Sequence, residues 1–164
     1  MQSARILLAD DHKEMRDSAQ RCLEKEFNVV GAVSDGRALL DAAARLDPDI
    51  CLLDISMPVL NGIEVATQLK ERGCRAKVIF LTIHEDMDFA QAALKTGASG
   101  YVIKRRMASD LQLAVKEALA GRIFISSSIN ELGRMIACHR WKRCCNGRGK
   151  CAAGAWESRV LRGR

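Results

Sequence analysis

Asp54 closes the apolar run Ile50-Cys51-Leu52-Leu53, and a second run, Ile6-Leu7-Leu8-Ala9, ends in the acidic pair Asp10-Asp11. Two buried parallel strands ending side by side would gather these three carboxylates at one edge of a sheet. Such a cluster repels itself unless a cation sits in it. Thr82 ends another apolar run and Lys104 follows a fourth, Gly100–Ile103. Three carboxylates and a backbone carbonyl suit a hard ion such as Mg²⁺, which takes few protein ligands and keeps room for phosphate oxygens. The Lys ammonium and the Thr hydroxyl add donors where a phosphoryl group would place its oxygens. No His, Cys or Ser/base pair is counted with the set, so softer metals and acyl transfer are poorly supported. One strand-end Asp or Thr commonly caps a helix or turn; five such residues on one edge argue for a site.

The elements that must place these residues alternate five times. Strands are expected over Arg5–Ala9, Val29–Val33, Ile50–Asp54, Lys77–Thr82 and Gly100–Ile103. They are nearly continuous apolar runs, as strands covered on both faces are. Between them lie amphipathic stretches: Met15, Ala19, Cys22 and Leu23 share one helical face, and Leu111, Val115, Ala118 and Leu119 share another. Strands alternating with helices of this length specify βαβ units. The expected fold is α/β: a doubly wound, five-stranded parallel sheet with helices on both faces, of the flavodoxin-like kind. In such a sheet ligands bind beyond the carboxyl ends of the strands, where strand order reverses.

The 164 residues accommodate one domain of common size and a short additional segment. No apolar stretch approaches bilayer length and the N-terminus lacks a signal-peptide pattern, so the expectation is a cytoplasmic protein with no membrane association. The net charge of +6 is unevenly spread. Residues 1–133 carry 17 Lys/Arg against 19 Asp/Glu, whereas residues 134–164 carry 9 against 1. Cysteines divide similarly: Cys22, Cys51 and Cys74 sit singly in periodic segments and read as small buried apolar groups, while Cys138, Cys144, Cys145 and Cys151 crowd the tail. In a reducing compartment no disulfide framework is expected. The periodic pattern ends near Gly121. Residues 122–137 read as a linker with a short extended piece and one more helical turn or two. Residues 138–164 read as a basic, Cys-rich tail, disordered or loosely attached.

Residues 1–121 resemble the receiver domain of bacterial two-component response regulators. The matching motifs are Leu8-Ala9-Asp10-Asp11-His12, Asp54-Ile55-Ser56-Met57-Pro58-Val59-Leu60-Asn61-Gly62, Leu81-Thr82 and Tyr101-Val102-Ile103-Lys104. Phe124-Ile125-Ser126 after Gly121-Arg122 is similar to the subfamily with helix-turn-helix DNA-binding outputs. The resemblance implies that Asp54 accepts a phosphoryl group from a phosphohistidine of a sensor kinase. It implies that Asp11, Asp54 and the main-chain carbonyl of Ser56 hold Mg²⁺, with Asp10 binding through water. Lys104 would pair with a phosphoryl oxygen, Thr82 would swing to bond another, and Tyr101 would rotate into the space Thr82 leaves. The face built from the fourth helix, fifth strand and fifth helix would change in response. A homodimer through a helical face such as Leu111–Leu119 is a further implication, although the same apolar positions suit a core.

The chain departs from the family pattern in places. Arg105 follows Lys104 where many receivers have a cis proline, which suggests a trans and looser loop. Ile83 follows Thr82 where small residues are frequent, and its bulk predicts slow loss of the phosphoryl group. His12 and His84 read as helix-start and loop polarity. A three-helix output needs on the order of 50 residues, and the 38 after Ser126 lack its apolar spacing. The expectation is therefore a chain without its output domain, its tail a truncated or out-of-frame remnant. Two other readings of the tail are nucleic-acid binding through its basic residues with Trp141 and Trp156, and a zinc site from Cys138, His139, Cys144, Cys145 and Cys151. For the whole chain, the alternatives are a Mg²⁺-dependent phosphohydrolase and a non-phosphorylated binding module. The phosphohydrolase pattern Asp-x-Asp-x-Thr/Val is not matched, because Ser56 stands where the second Asp would act as general acid.

Overall fold

A computed structural model describes residues 3–127. Strands β1 (Arg5–Ala9), β2 (Asn28–Val33), β3 (Ile50–Leu53), β4 (Lys77–Thr82), β5 (Gly100–Ile103) and β6 (Phe124–Ile125) form one sheet in the order β2-β1-β3-β4-β5-β6. Every pairing is parallel. Strand order reverses between β1 and β3, which sets Asp10 and Asp54 beside each other. The expected α/β architecture is present, with one correction: the sheet has six strands, not five. The short extended piece read within the linker after Gly121 is the sixth strand, because Phe124 donates its backbone N–H to Ser99 just before β5 and Ser126 donates to Tyr101 on it. A two-residue strand lacks the length for a periodicity to show in sequence.

The helices are α1 (Lys13–Leu23), α2 (Gly36–Leu46), α3 (Gly62–Glu71), α4 (Met87–Lys95) and α5 (Met107–Leu119). Alternate strand residues face opposite sides, so the sheet divides the core in two. Leu7, Ala9, Cys51, Leu53 and Phe80 pack against α2, α3 and α4 through Leu39, Val65, Leu69 and Ala93. Ile6, Leu8, Leu52, Ile79 and Val102 pack against α1 and α5 through Ala19, Leu23, Leu111, Val115 and Ala118. Leu111, Val115 and Ala118 are thus core rather than a free face, and Leu119 is exposed. Of the three single cysteines only Cys51 is fully buried, and burial followed by the nearby Cys74 pushes its thiol up to about 12. Among the described residues no helix is long and apolar enough to cross a membrane. The expectations for the helical turn near 129–137, the disordered tail, its zinc set and its nucleic-acid contacts lie outside the described residues.

Candidate functional site

The strand ends meet as the spacing predicts. The Asp54 N–H donates to Ala9 O at 2.9 Å and the Asp10 N–H to Val33 O at 3.2 Å, so both acids leave the sheet at its carboxyl edge. Lys104 Nζ, carried just past β5, lies 2.7 Å from Asp10 Oδ2 and 2.7 Å from Asp54 Oδ2. All three side chains are buried, at 8% exposure or less. The contact with Asp54 is a directed hydrogen bond. That with Asp10 is an ion pair by distance only, and Asp10 Oδ2 is a buried oxygen with no well-directed donor. Two carboxylates sharing one ammonium leave negative charge over, and Asp11 adds to it at the rim, 30% exposed.

Burial pushes the Asp54 carboxyl above its ordinary value, against the opposing pull of Lys104. Burial alone would lower Lys104, but the adjacent carboxylates of Asp10 and Asp54 outweigh it and hold the ammonium protonated. Donor atoms of Asp10, Asp11, His12 and Asp54 all lie within 4.8 Å of one another. An oxygen-rich cluster with more carboxylate than ammonium charge fits a hard divalent cation, and Asp10, Asp11 and Asp54 are the residues that would hold it. His12, read as helix-start polarity, is the N-cap of α1. Its ring also reaches the cluster, with Nδ1 2.7 Å from Asp11 Oδ1.

The loop after β3 is held close. Ser56 N–H donates to Asp54 Oδ1 at 3.2 Å, and Ile55 and Met57 are buried. Gly62 begins α3, and a Cβ there would stand 2.2 Å from the Asp54 carbonyl oxygen. Glycine is thus required for the close approach. Asn61 and Glu64 exchange side-chain and backbone hydrogen bonds at 2.9 Å, a capping box that fixes where α3 starts. Just before this cap Val59 is 81% exposed with φ of 70°, and Leu60 N–H donates to Pro58 O at 2.8 Å. That is a γ-turn about a β-branched residue, a strained conformation.

Thr82 and Tyr101 are brought together through His84. Its backbone N–H donates to Thr82 Oγ1 at 3.2 Å, and its carbonyl accepts from Tyr101 Oη at 2.8 Å. The ring bonds Ser56 Oγ through Nε2 at 2.8 Å and stacks on Phe89 of α4 at 4.2 Å. Tyr101 and Thr82 are both fully buried. Burial and the Asp86 charge push the phenol up, which keeps it a donor. Sequence reasoning gave His84 only loop polarity; no residue type or spacing announces that one backbone will serve two side chains. Ile83 is 67% exposed. The Lys104–Arg105 peptide bond is trans, as expected, and Lys104–Arg106 forms a single 3₁₀ turn leading into α5.

Residues 6–116 match the model of the response regulator receiver domain. The chain belongs to that family. It is 38% identical to the transcriptional regulatory protein DegU of Brevibacillus brevis over 126 residues, 76% of this chain and 53% of DegU. Among solved structures, a LuxR-family two-component response regulator from Aurantimonas is 32% identical with a TM-score of 0.77, over 85% of this chain and 99% of that one. The isolated receiver domain of RcsB from Salmonella enterica serovar Typhimurium, solved with phosphomimetic BeF₃⁻, is 27% identical with a TM-score of 0.74, over 79% and 98%. This chain spans about half the length of DegU. Residues 6–116 are thus a response regulator receiver domain.

Proposed function

We propose that this receiver accepts a phosphoryl group on Asp54 from a phosphohistidine of a sensor kinase, in the service of transcriptional control. The observation that carries the reading is the buried Asp10–Lys104–Asp54 arrangement at the strand-order reversal, with both ion-pair distances at 2.7 Å. An Asp54 carboxylate oxygen forms the new P–O bond as the P–N bond breaks, and the proton needed by the leaving imidazole comes from solvent. Such transfer asks for positioning and charge neutralisation more than for covalent chemistry. Asp11, Asp54 and the Ser56 carbonyl would hold Mg²⁺ with Asp10 behind them, and the bound ion would neutralise charge on the transferring group. Lys104, already against an Asp54 oxygen, keeps a positive charge where a phosphoryl oxygen would come.

The output path in this reading starts from Thr82. A phosphoryl oxygen would compete with the His84 N–H for its hydroxyl, and the His84 backbone also holds Tyr101. Tyr101 is already interior, so the change would act on its hydrogen bond and on the Phe89 stack of α4 rather than on an inward swing. The phosphohydrolase alternative is not favoured, because Ser56 supplies no carboxylic acid and its hydroxyl is bonded to His84. Incubation with acetyl phosphate and Mg²⁺, followed by intact mass, should show one phosphoryl addition in the wild type and none in Asp54→Ala. No stoichiometric gain in the wild type would overturn the reading.

A further inference from the structure

The amino edge of the sheet, opposite the carboxylate site, carries a concentration of positive charge. Lys70 lies in the last turn of α3, Arg72 and Arg75 follow in the loop, Lys77 begins β4 and Lys95 ends α4. The charged groups of Lys13, Lys104, Arg105, Arg106, Lys116 and Arg122 each hold a carboxylate. None of the five at this edge does so among the described residues, and Arg72 reaches only the Gln68 amide oxygen, at 3.4 Å. Glu71 is the single acid in residues 66–78 and 93–99. Asp49, whose carbonyl takes the Lys77 N–H, has its carboxylate on the Arg5 N–H of β1. Both α3 and α4 end here, and a helix C-terminus carries about half a negative charge. Two helix ends and Glu71 together answer about two of the cations and leave roughly three positive charges over. Capping does not explain that excess.

The same place has a cleft of about 300 Å³, within the size range of small-ligand sites. Ala66, Leu69, Val78 and Ala98 line it and are buried, so its floor is apolar. Exposed Lys70 and half-buried Lys77 stand at its rim, with the Ser99 hydroxyl. Lys70 Nζ comes 3.8 Å from where a Cβ on Gly97 would stand, so it reaches across from α3 to the turn before β5. No aromatic side chain lines the cleft, which leaves a nucleic-acid base nothing to stack on. An apolar floor beneath unpaired cations suits a ligand with both characters. We propose that this cleft binds a small amphipathic anion, a carboxylate carried on a short hydrocarbon body. The body covers Leu69 and Val78 and displaces water from them. The carboxylate lies between the Lys70 and Lys77 ammonium groups and relieves their mutual repulsion. Bound there, the ligand ties α3 to the turn that leads into β5.

The test titrates the full chain with sodium octanoate and follows the amide ¹H–¹⁵N shifts, with 1-octanol and acetate as separate probes of the body and the head. Octanoate should bind with a Kd of about 1 mM or tighter and shift the amides of Cys74, Gly97 and Ser99. 1-Octanol and acetate should each bind at least about tenfold more weakly. Lys70→Gln with Lys77→Gln should lose at least about tenfold in octanoate affinity. Lys25→Gln with Arg37→Gln removes the same charge from exposed positions elsewhere and should stay within about twofold. Lys70→Gln alone, at an exposed position that does not threaten folding, should lose at least about threefold. Octanoate that shifts no amide at this edge, binds no better than 1-octanol or acetate, or binds the double lysine variant as well as the wild type overturns the inference. So does salt-sensitive DNA binding through the same lysines without octanoate binding, which would make the edge a polyanion contact. Neither result bears on Asp54, at the other edge.

Discussion

Ser126 is the position where one atom should matter most to stability. It is fully buried just beyond β6, and its Oγ accepts from the Ile103 N–H at 3.2 Å while donating to Asp110 Oδ2 at 2.8 Å. Ser126→Ala removes both links without opening more than a hydroxyl-sized gap. The Ile103 amide would lose its acceptor in a dry site, at a cost of roughly 1–3 kcal/mol. Asp110 is partly insured, because Ser109 Oγ at 2.6 Å and Arg106 Nε at 3.2 Å remain. The combined loss should be about 2–3 kcal/mol, equivalent to a fall in Tm of roughly 6–15 °C for a domain of this size. Urea unfolding measures it as a lower midpoint at unchanged slope. Ser127, exposed and next in the chain, is the control: Ser127→Ala should stay within about 0.5 kcal/mol.

The same network has a pH signature. Burial raises the Asp110 carboxyl, but the hydrogen bonds from Ser109, Ser126 and Arg106 outweigh it and hold the group below its ordinary value. A depressed carboxylate contributes stability that is present above its unfolded value, near 4, and is lost as pH falls through the folded one. The gap between wild type and Ser126→Ala should therefore be full at pH 7 and narrow on acidification below about pH 4. A loss no larger than that of Ser127→Ala, or a gap that widens in acid, would refute the reasoning.

Two other substitutions probe the loop after β3. Gly62→Ala sets a Cβ 2.2 Å from a backbone oxygen that cannot swing aside, so urea unfolding should show a loss of about 2 kcal/mol or more; a loss under about 0.5 kcal/mol would show that the loop yields. Val59→Gly relieves a β-branched residue at φ of 70° with no packing to lose. Strain relief of roughly 1–3 kcal/mol, less about 1 kcal/mol for the freer unfolded chain, predicts a gain near 1 kcal/mol by urea unfolding; destabilisation would mean the turn is not strained.

Much of this protein is legible without coordinates because its strands are short, apolar and regularly spaced. Continuous apolar runs, covered on both faces, with helices between them leave few alternatives to a doubly wound sheet, and that topology alone sends Asp10, Asp11, Asp54, Thr82 and Lys104 to one edge. Residue type then limits the chemistry to a hard cation and a phosphoryl group. The tertiary structure decided what depends on distance and direction rather than on order along the chain. It put Lys104 between two particular carboxylates and turned His12 into the cluster. It made His84 a junction, its backbone holding Thr82 and Tyr101 and its ring stacking on α4. It also drew residues past Gly121 into the sheet as β6, through backbone hydrogen bonds that no side-chain pattern encodes. Periodicity records which face of an element is buried. It does not record which polar atoms two distant elements will share once they are packed.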